Sequence, residues 1–528
     1  MRTLFLSITF FFTTFLSIAQ NADKSGMSSQ VKIENGLLEG TREESGIFAF
    51  KGIPYAMPPV GELRWKPPQP VKSWQGIMKA KKFGPMAMQL PIYSDMRFRS
   101  DGMNEDCLYL NVWTPGIQDD ELYPVMVYFY GGGFRAGDGS EYRYDGENMA
   151  KEGIVTLTVN YRLNIFGFFA HPQLSRESPH QASGNYGLHD QAAALEWVHK
   201  NISAFGGDPG RVTIAGESAG SSSVSAQMAS PLSRDLIAGA IAESGSLLSL
   251  NPPVPLAEAE QKGIEFAQKI NAADLEQLRA IPADKLLNYL SEPGMPRFKT
   301  TVDGYFLPVD PLSIFEAGIQ ANVPLMVGWN SEERNHRGIL GNSEPTPENY
   351  KNALKDRFGQ EAERILQFYP GSTQEEVLQS ATDLAGNLFI GYNTWKLADM
   401  HAQTSDQTVY RYYYAHPRPP VKSEDENKPW KRAGGAVHSA EIEYALGNLA
   451  TNPVFDWQRE DYQVSNLMKG YFANFIKTGD PNAKELPRWP AANKGKKVRY
   501  LQIAVDPEVK VEINREKFLL LEQLEKQD

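Results

Sequence analysis

The sequence predicts an α/β fold with a central, mostly parallel, twisted sheet, helices on both of its faces and helical insertions. Three observations predict it. Apolar runs without polar alternation, such as VMVYFY at 125–130 and RVTIAG at 211–216, have the composition of strands buried on both faces. Amphipathic stretches alternate with such runs between residues 125 and 245, which is the spacing of β-α-β units. The chain of 528 residues, 41% hydrophobic and 22% charged, has the material for one large core, and no repeat or clean linker divides it.

Residues 1–19 read as a signal peptide rather than a membrane anchor. Arg2 precedes an apolar run from Leu4 to Ile18 that is shorter than a spanning helix needs, and Ser17 and Ala19 are small residues placed for cleavage. An exported chain, periplasmic or secreted, follows, with residues 20–528 as a single domain. From Val31 to Tyr55, Asn-Gly and Ser-Gly turn signals between short apolar runs predict a small antiparallel meander. A Pro-rich loop leads to VMVYFYGGGF at 125–134, a buried strand that ends in three glycines. Strands are predicted at 153–162, 211–216 and 236–245, with helices at 187–202 and from Ser218 to about Met228 between them. A long helical stretch to about residue 295, strands at 323–330, 408–416 and 498–504, and a C-terminal helix complete the reading.

Charge and cysteine content exclude several classes. The net charge of −11 without a long basic run speaks against a nucleic-acid partner or a membrane-surface protein. The lone Cys107 permits no internal disulfide, and eight histidines without paired spacing give no metal site; no cofactor is expected.

Gly216-Glu217-Ser218-Ala219-Gly220 has the form Gly-x-Ser-x-Gly, which by itself also suits an ordinary Ser/Gly/Ala-rich turn. Its context decides: Ser218 follows a strand and opens a helix, as a nucleophile elbow requires, and the helix N-terminus favours developing negative charge. The glycine loop supplies backbone N–H donors at Gly132 and Gly133, and Ala219 a third, for a tetrahedral oxyanion. A phosphate loop is disfavoured, since neither phosphate-binding glycine pattern is present. The general base should follow the acid in chain order. His438 and His416 both come late enough; position favours His438, which sits among small residues in GGAVHSAEIEY. The acid should close the strand VPLMVGWN, where Glu332 and Glu333 remain open alternatives.

These residues, together with FKGIPYAMPPVGELRWKPP, NEDCLYLNVWTP, NYRLNIFGFF, GNYGLHDQAAALEWVHKNISAFGGDPGRVTIAGESAGSSSV, GAVHSAEIEYALGN and FANFIKTGDPN, resemble the type-B carboxylesterases of the α/β-hydrolase fold nearly end to end. The resemblance implies a serine carboxylesterase acting on a small-molecule ester, with Ser218 as nucleophile, Glu333 as acid, His438 as base, and Gly132, Gly133 and Ala219 as oxyanion hole. It implies buried ion pairs Arg64–Glu105 and Arg162–Asp190. A non-catalytic adhesion member of the fold, or a thioesterase or amidase with the same triad, is the alternative. The chain departs from the family pattern at Ala87, where a cysteine partner for Cys107 is usual, leaving the loop between them unstapled; at Arg334, where glycine follows the acid; and at Tyr130, where many members have histidine. Arg97 stands where cholinesterase-like members carry a choline-binding tryptophan, so choline esters are expected to be poor substrates, with Arg97 or Arg99 repelling the cation. Arg135, next to the oxyanion loop, and Arg334 are candidates for binding a substrate carboxylate, unless both pair with carboxylates such as Asp138, Glu141 or Glu332.

Overall fold

Among the described residues, eleven strands form one sheet: β1 (Thr41–Arg42), β2 (Phe48–Pro54), β3 (Tyr109–Thr114), β4 (Tyr123–Phe129), β5 (Val155–Val159), β6 (Gly207–Glu217), β7 (Gly239–Glu243), β8 (Leu325–Asn330), β9 (Val409–Tyr414), β10 (Arg499–Ile503) and β11 (Glu508–Val511). The structure is a computed structural model that describes residues 29–117, 121–422, 432, 434–493 and 497–525; the leader expected at residues 1–19 lies outside them. The spatial order is β11-β10-β9-β8-β7-β6-β4-β5-β3-β2-β1. Every pair from β5 across to β10 is parallel, and the pairs at both edges are antiparallel.

Most of the parallel strands are buried along nearly their whole length. All five residues of β5 and of β7 are buried, as are Val125, Met126, Val127, Ile214, Leu325 and Val327, so both faces of the sheet must be covered. After β4 the chain passes to β5 on one side, then returns to β6 on the other. The loops leaving the carboxyl ends of β4 and β6 therefore lie side by side where the strand order reverses, the place at which open α/β sheets form a crevice. Helix α1 (Tyr186–Asn201) leads into β6, and α2 (Ala219–Ala229) follows it and packs on β6 and β7.

Three regions differ from the sequence expectation. The entry meander divides: strands Gln30–Ile33 and Gly36–Glu39 join Ile77–Lys79 in a separate small sheet, while β1 and β2 extend the large one. The helical stretch before residue 295 is three helices, Leu256–Lys269, Leu275–Ala280 and Ala283–Tyr289. Asp274 accepts from the Gln277 amide at 2.9 Å to start the second, and Pro282 precedes the third. Between β8 and β9 the helical insertions, which the sequence had not placed, are Arg337–Leu340, Pro347–Phe358, Ala362–Phe368, Gln374–Gly386 and Tyr392–Thr404, and they gather a second apolar cluster around Tyr350, Trp395 and Phe518.

Both expected ion pairs form. Arg162 Nε and Nη2 grip Asp190 at 2.8 and 2.7 Å, and the Arg162 amide donates to the same carboxylate. Arg64 forks onto Glu105, with Nε at 2.6 Å. Deleting one partner of a buried pair like Arg162–Asp190 costs about 3–5 kcal/mol, because the other charge stays behind without water. Ala87 and Cys107 are both buried in the main core, and burial pushes the thiol pKa up. The segment between them is tied by hydrogen bonds instead: Gln89 exchanges two with Gly137, at 2.9 and 2.8 Å, and Arg99 Nη1 pairs with Asp145 at 2.7 Å.

Candidate active site

The turn from β6 into α2 places Ser218 in a backbone conformation that L-residues rarely adopt, φ 57° and ψ −118°. The surroundings impose it. A Cβ on Gly220 would stand 1.9 Å from the Phe129 carbonyl oxygen, and one on Gly216 would meet the Gly220 backbone at 2.6 Å, so only glycine lets helix and strand pass this closely. The Ser218 amide is fixed to the Glu243 carbonyl at 2.9 Å. With its own backbone thus committed, the residue projects its hydroxyl toward the crevice.

His438 and Glu333 reach the hydroxyl from two other loops. His438 Nε2 lies 2.9 Å from Ser218 Oγ, and His438 Nδ1 lies 2.6 Å from Glu333 Oε2. The second oxygen of Glu333 accepts from the Asn330 amide and from Ser244 Oγ, both at 2.7 Å, which fixes the carboxylate plane. Glu332 does something else: its amide donates to the Ala436 carbonyl at 2.8 Å, pinning the histidine loop through main chain. His416 is buried elsewhere, its Nε2 2.8 Å from Asp461 Oδ1.

Gly132 and Gly133 follow β4 with φ of 108° and 64°. Among the described hydrogen bonds, the amides of Gly132, Gly133 and Ala219 donate to no protein acceptor. Gly133, Ala219 and Ser218 line a cavity of about 480 Å³, whose walls include Phe134, Phe168, Phe298 and Phe389. Phe389 belongs to a π-helical turn, Asn387–Gly391, between the last two inserted helices, and sits edge-on to the His438 ring at 5.0 Å. Arg334 lines this cavity; Arg135 is exposed and stands outside its lining. Neither makes an ion pair among the described residues: Asp138 is bonded to Ser100 and Ser140, and Glu141 to Arg143. Arg97 and Arg99 are also outside the cavity lining, and the Arg99 guanidinium is committed to Asp145 between Phe83 and Tyr142.

Sequence reasoning missed the carboxyl groups beneath the histidine. Glu217 is buried with Oε1 3.2 Å from His438 Nε2, and a Cβ on Gly131 would meet its Oε2 at 2.6 Å. Glu441 Oε2 accepts from Asn330 Nδ2, and its Oε1 lies 3.1 Å from Ser244 Oγ; Glu243 is buried beside it. Burial pushes the Glu217 pKa up to about 8 and raises Glu441 and Glu243 as well. His438 loses some basicity to desolvation, but the neighbouring Glu217 and Glu333 outweigh that and lift it to about 9. Glu217 lies inside the pentapeptide itself, and an acidic residue in an otherwise apolar strand end was its only signal.

The chain is similar to known proteins over most of its length. The carboxylesterase family model matches residues 27–520. A fumonisin B1 esterase from Sphingopyxis macrogoltabida is 34% identical over 87% of this chain and 83% of its own. A para-nitrobenzyl esterase from Bacillus subtilis is also 34% identical, over 87% of this chain and 92% of its own. The crystal structure of a carboxylesterase from Geobacillus stearothermophilus superposes with a TM-score of 0.78 at 30% identity, covering 93% of this chain and 99% of that one.

Proposed function

The chain belongs to the carboxylesterase family and hydrolyses carboxylic esters; from that premise we propose that Ser218, His438 and Glu333 carry the reaction as nucleophile, base and acid. The observation that supports this most is the relay from Ser218 Oγ, which lines the cavity, through both nitrogens of one imidazole to Glu333, at 2.9 and 2.6 Å. Neutral His438 accepts the Ser218 proton at Nε2 as Oγ attacks the ester carbonyl. Nδ1–H donates to Glu333, which holds the tautomer and stabilises the imidazolium. The oxyanion that forms takes hydrogen bonds from the free amides of Gly132, Gly133 and Ala219, each worth about 3 kcal/mol to the transition state. The imidazolium gives its proton to the departing alcohol, leaving an acyl-enzyme, and water repeats the sequence to release the acid.

An organophosphate tests the assignment directly. It should abolish aryl-ester hydrolysis at one equivalent per chain, with the mass increment on the peptide containing Ser218. Inactivation with the label on another residue would move the nucleophile elsewhere.

The pH profile follows from the base. Only neutral imidazole can take the serine proton, so kcat/KM should rise along a limb whose midpoint is alkaline of 6.5, toward the value of about 9 that the surrounding carboxylates impose. Glu217→Gln removes the largest raising charge and should move that limb acidward. A limb that stays in place, or moves to higher pH, would mean that Glu217 carries no charge in the working enzyme.

A further inference from the structure

The cavity that Ser218 opens into carries three cations, Lys299, Arg334 and Arg357, and no aspartate or glutamate among its described lining residues. In a chain with a net charge of −11 this is a reversal of the general surface. Lys299 has a neutral partner, its Nζ 2.6 Å from Asn251 Oδ1. Neither arginine makes an ion pair among the described residues. Each lies over a ring instead, Arg334 4.1 Å from the Phe389 centroid and Arg357 5.7 Å from that of Phe358. Partial burial and the charge of Arg334 lower the pKa of Arg357, so the two guanidiniums repel one another across the cavity wall. An anion held between them would relieve that repulsion, and a guanidinium fork matches the geometry of a carboxylate.

The distance to the reaction centre is short. Phe389 touches both Arg334 and His438, and its centroid distances of 4.1 and 5.0 Å together place the guanidinium carbon within about 9 Å of the imidazole centre. A carboxylate on Arg334 and an ester carbonyl on Ser218 can therefore belong to one small molecule.

We propose that the cavity selects esters carrying a second, ionised carboxylate, monoesters of short dicarboxylic acids being the simplest, and that Arg334 and Arg357 bind that carboxylate while Ser218 attacks the ester. This rests on the serine-esterase reading above. Both arginines are exposed to water, so the preference must weaken as salt screens it.

The test is a ratio: kcat/KM for monoethyl adipate over kcat/KM for ethyl adipamate, its neutral isostere, by ethanol release at about 20 mM ionic strength. The ratio cancels any general effect of a substitution on turnover or folding. It should be about tenfold or more in the wild type, fall toward one in about 1 M salt, and fall in Arg357→Gln and further in Arg334→Gln/Arg357→Gln. Arg357→Glu should push it below one. A wild-type ratio at or below one, with ethyl adipamate turned over, overturns the proposal and leaves the esterase reading standing. A preference that survives intact in the double variant overturns it too, since the anion would then be bound by other groups. Failure to cleave either adipate ester or any aryl ester would sink the esterase reading, and this proposal with it.

Discussion

Ser218→Ala is expected to lower kcat for an aryl ester by at least about 10³-fold while leaving the fold intact. The change removes one oxygen. The elbow's backbone is set by Gly216, Gly220 and the Ser218 amide bond to Glu243, none of which needs the hydroxyl, and alanine tolerates φ 57° about as well as serine does. The amides of Gly132, Gly133 and Ala219, proposed above as the oxyanion donors, remain, so a residual rate above that in water should persist through binding and oxyanion stabilisation alone. The measurement is kcat on enzyme free of host esterases, with thermal unfolding to show that Tm is kept. Turnover near the wild-type rate would remove Ser218 from the mechanism, and a collapse in Tm would show that the hydroxyl serves the fold.

How much of this was legible in the sequence depends on how local the signal is. Most of the parallel strands announce themselves as largely apolar runs buried on both faces; β5, β7, β8 and β9 fall within the expected segments, while β4 and β6 begin earlier than expected and β6 also ends one residue later. The edges were harder. Val31–Tyr55 divides between two sheets at Gly40, where a Cβ would lie 2.5 Å from the Ala49 carbonyl oxygen, and only that tertiary contact identifies the crossing point. The elbow could be read because its Gly-x-Ser-x-Gly pattern falls within five residues between a strand and a helix, although the carbonyl that demands Gly220, that of Phe129, comes from β4. The supporting groups could not: Ser244 and Asn330 are ordinary polar residues until β7 and β8 pair in parallel and bring them to Glu333. Arg135 and Arg334 show the same limit. Both flank catalytic candidates in sequence, yet the turn at Gly132, Gly133 and Phe134, all with positive φ, leaves Arg135 outside the cavity lining, and Arg357, remote in sequence, joins Arg334 in it.

Glu333→Gln should cost about 10³–10⁴-fold in kcat, whereas Glu332→Gln should stay within about twofold, the scale of a surface substitution. Adjacent acidic residues are told apart by what each oxygen does. Both oxygens of Glu333 act as acceptors, one from His438 Nδ1 and one from the Asn330 amide and Ser244. Glutamine has a single oxygen to offer. Ser244 can rotate its hydroxyl and accept instead, but the Asn330 N–H is fixed by β8 and can only donate, so the amide oxygen is drawn to it and the NH2 group faces His438. That orientation forces the proton onto Nε2, the atom that must be free to take the Ser218 proton. The side chain would keep its size and packing, so kcat should fall without a matching fall in Tm. Glu332 touches the histidine loop through its amide, which the substitution leaves in place. A large loss in Glu332→Gln with little in Glu333→Gln would shift the acid by one residue and break the link between the hydrogen bonds at Nδ1 and the chemistry at Ser218.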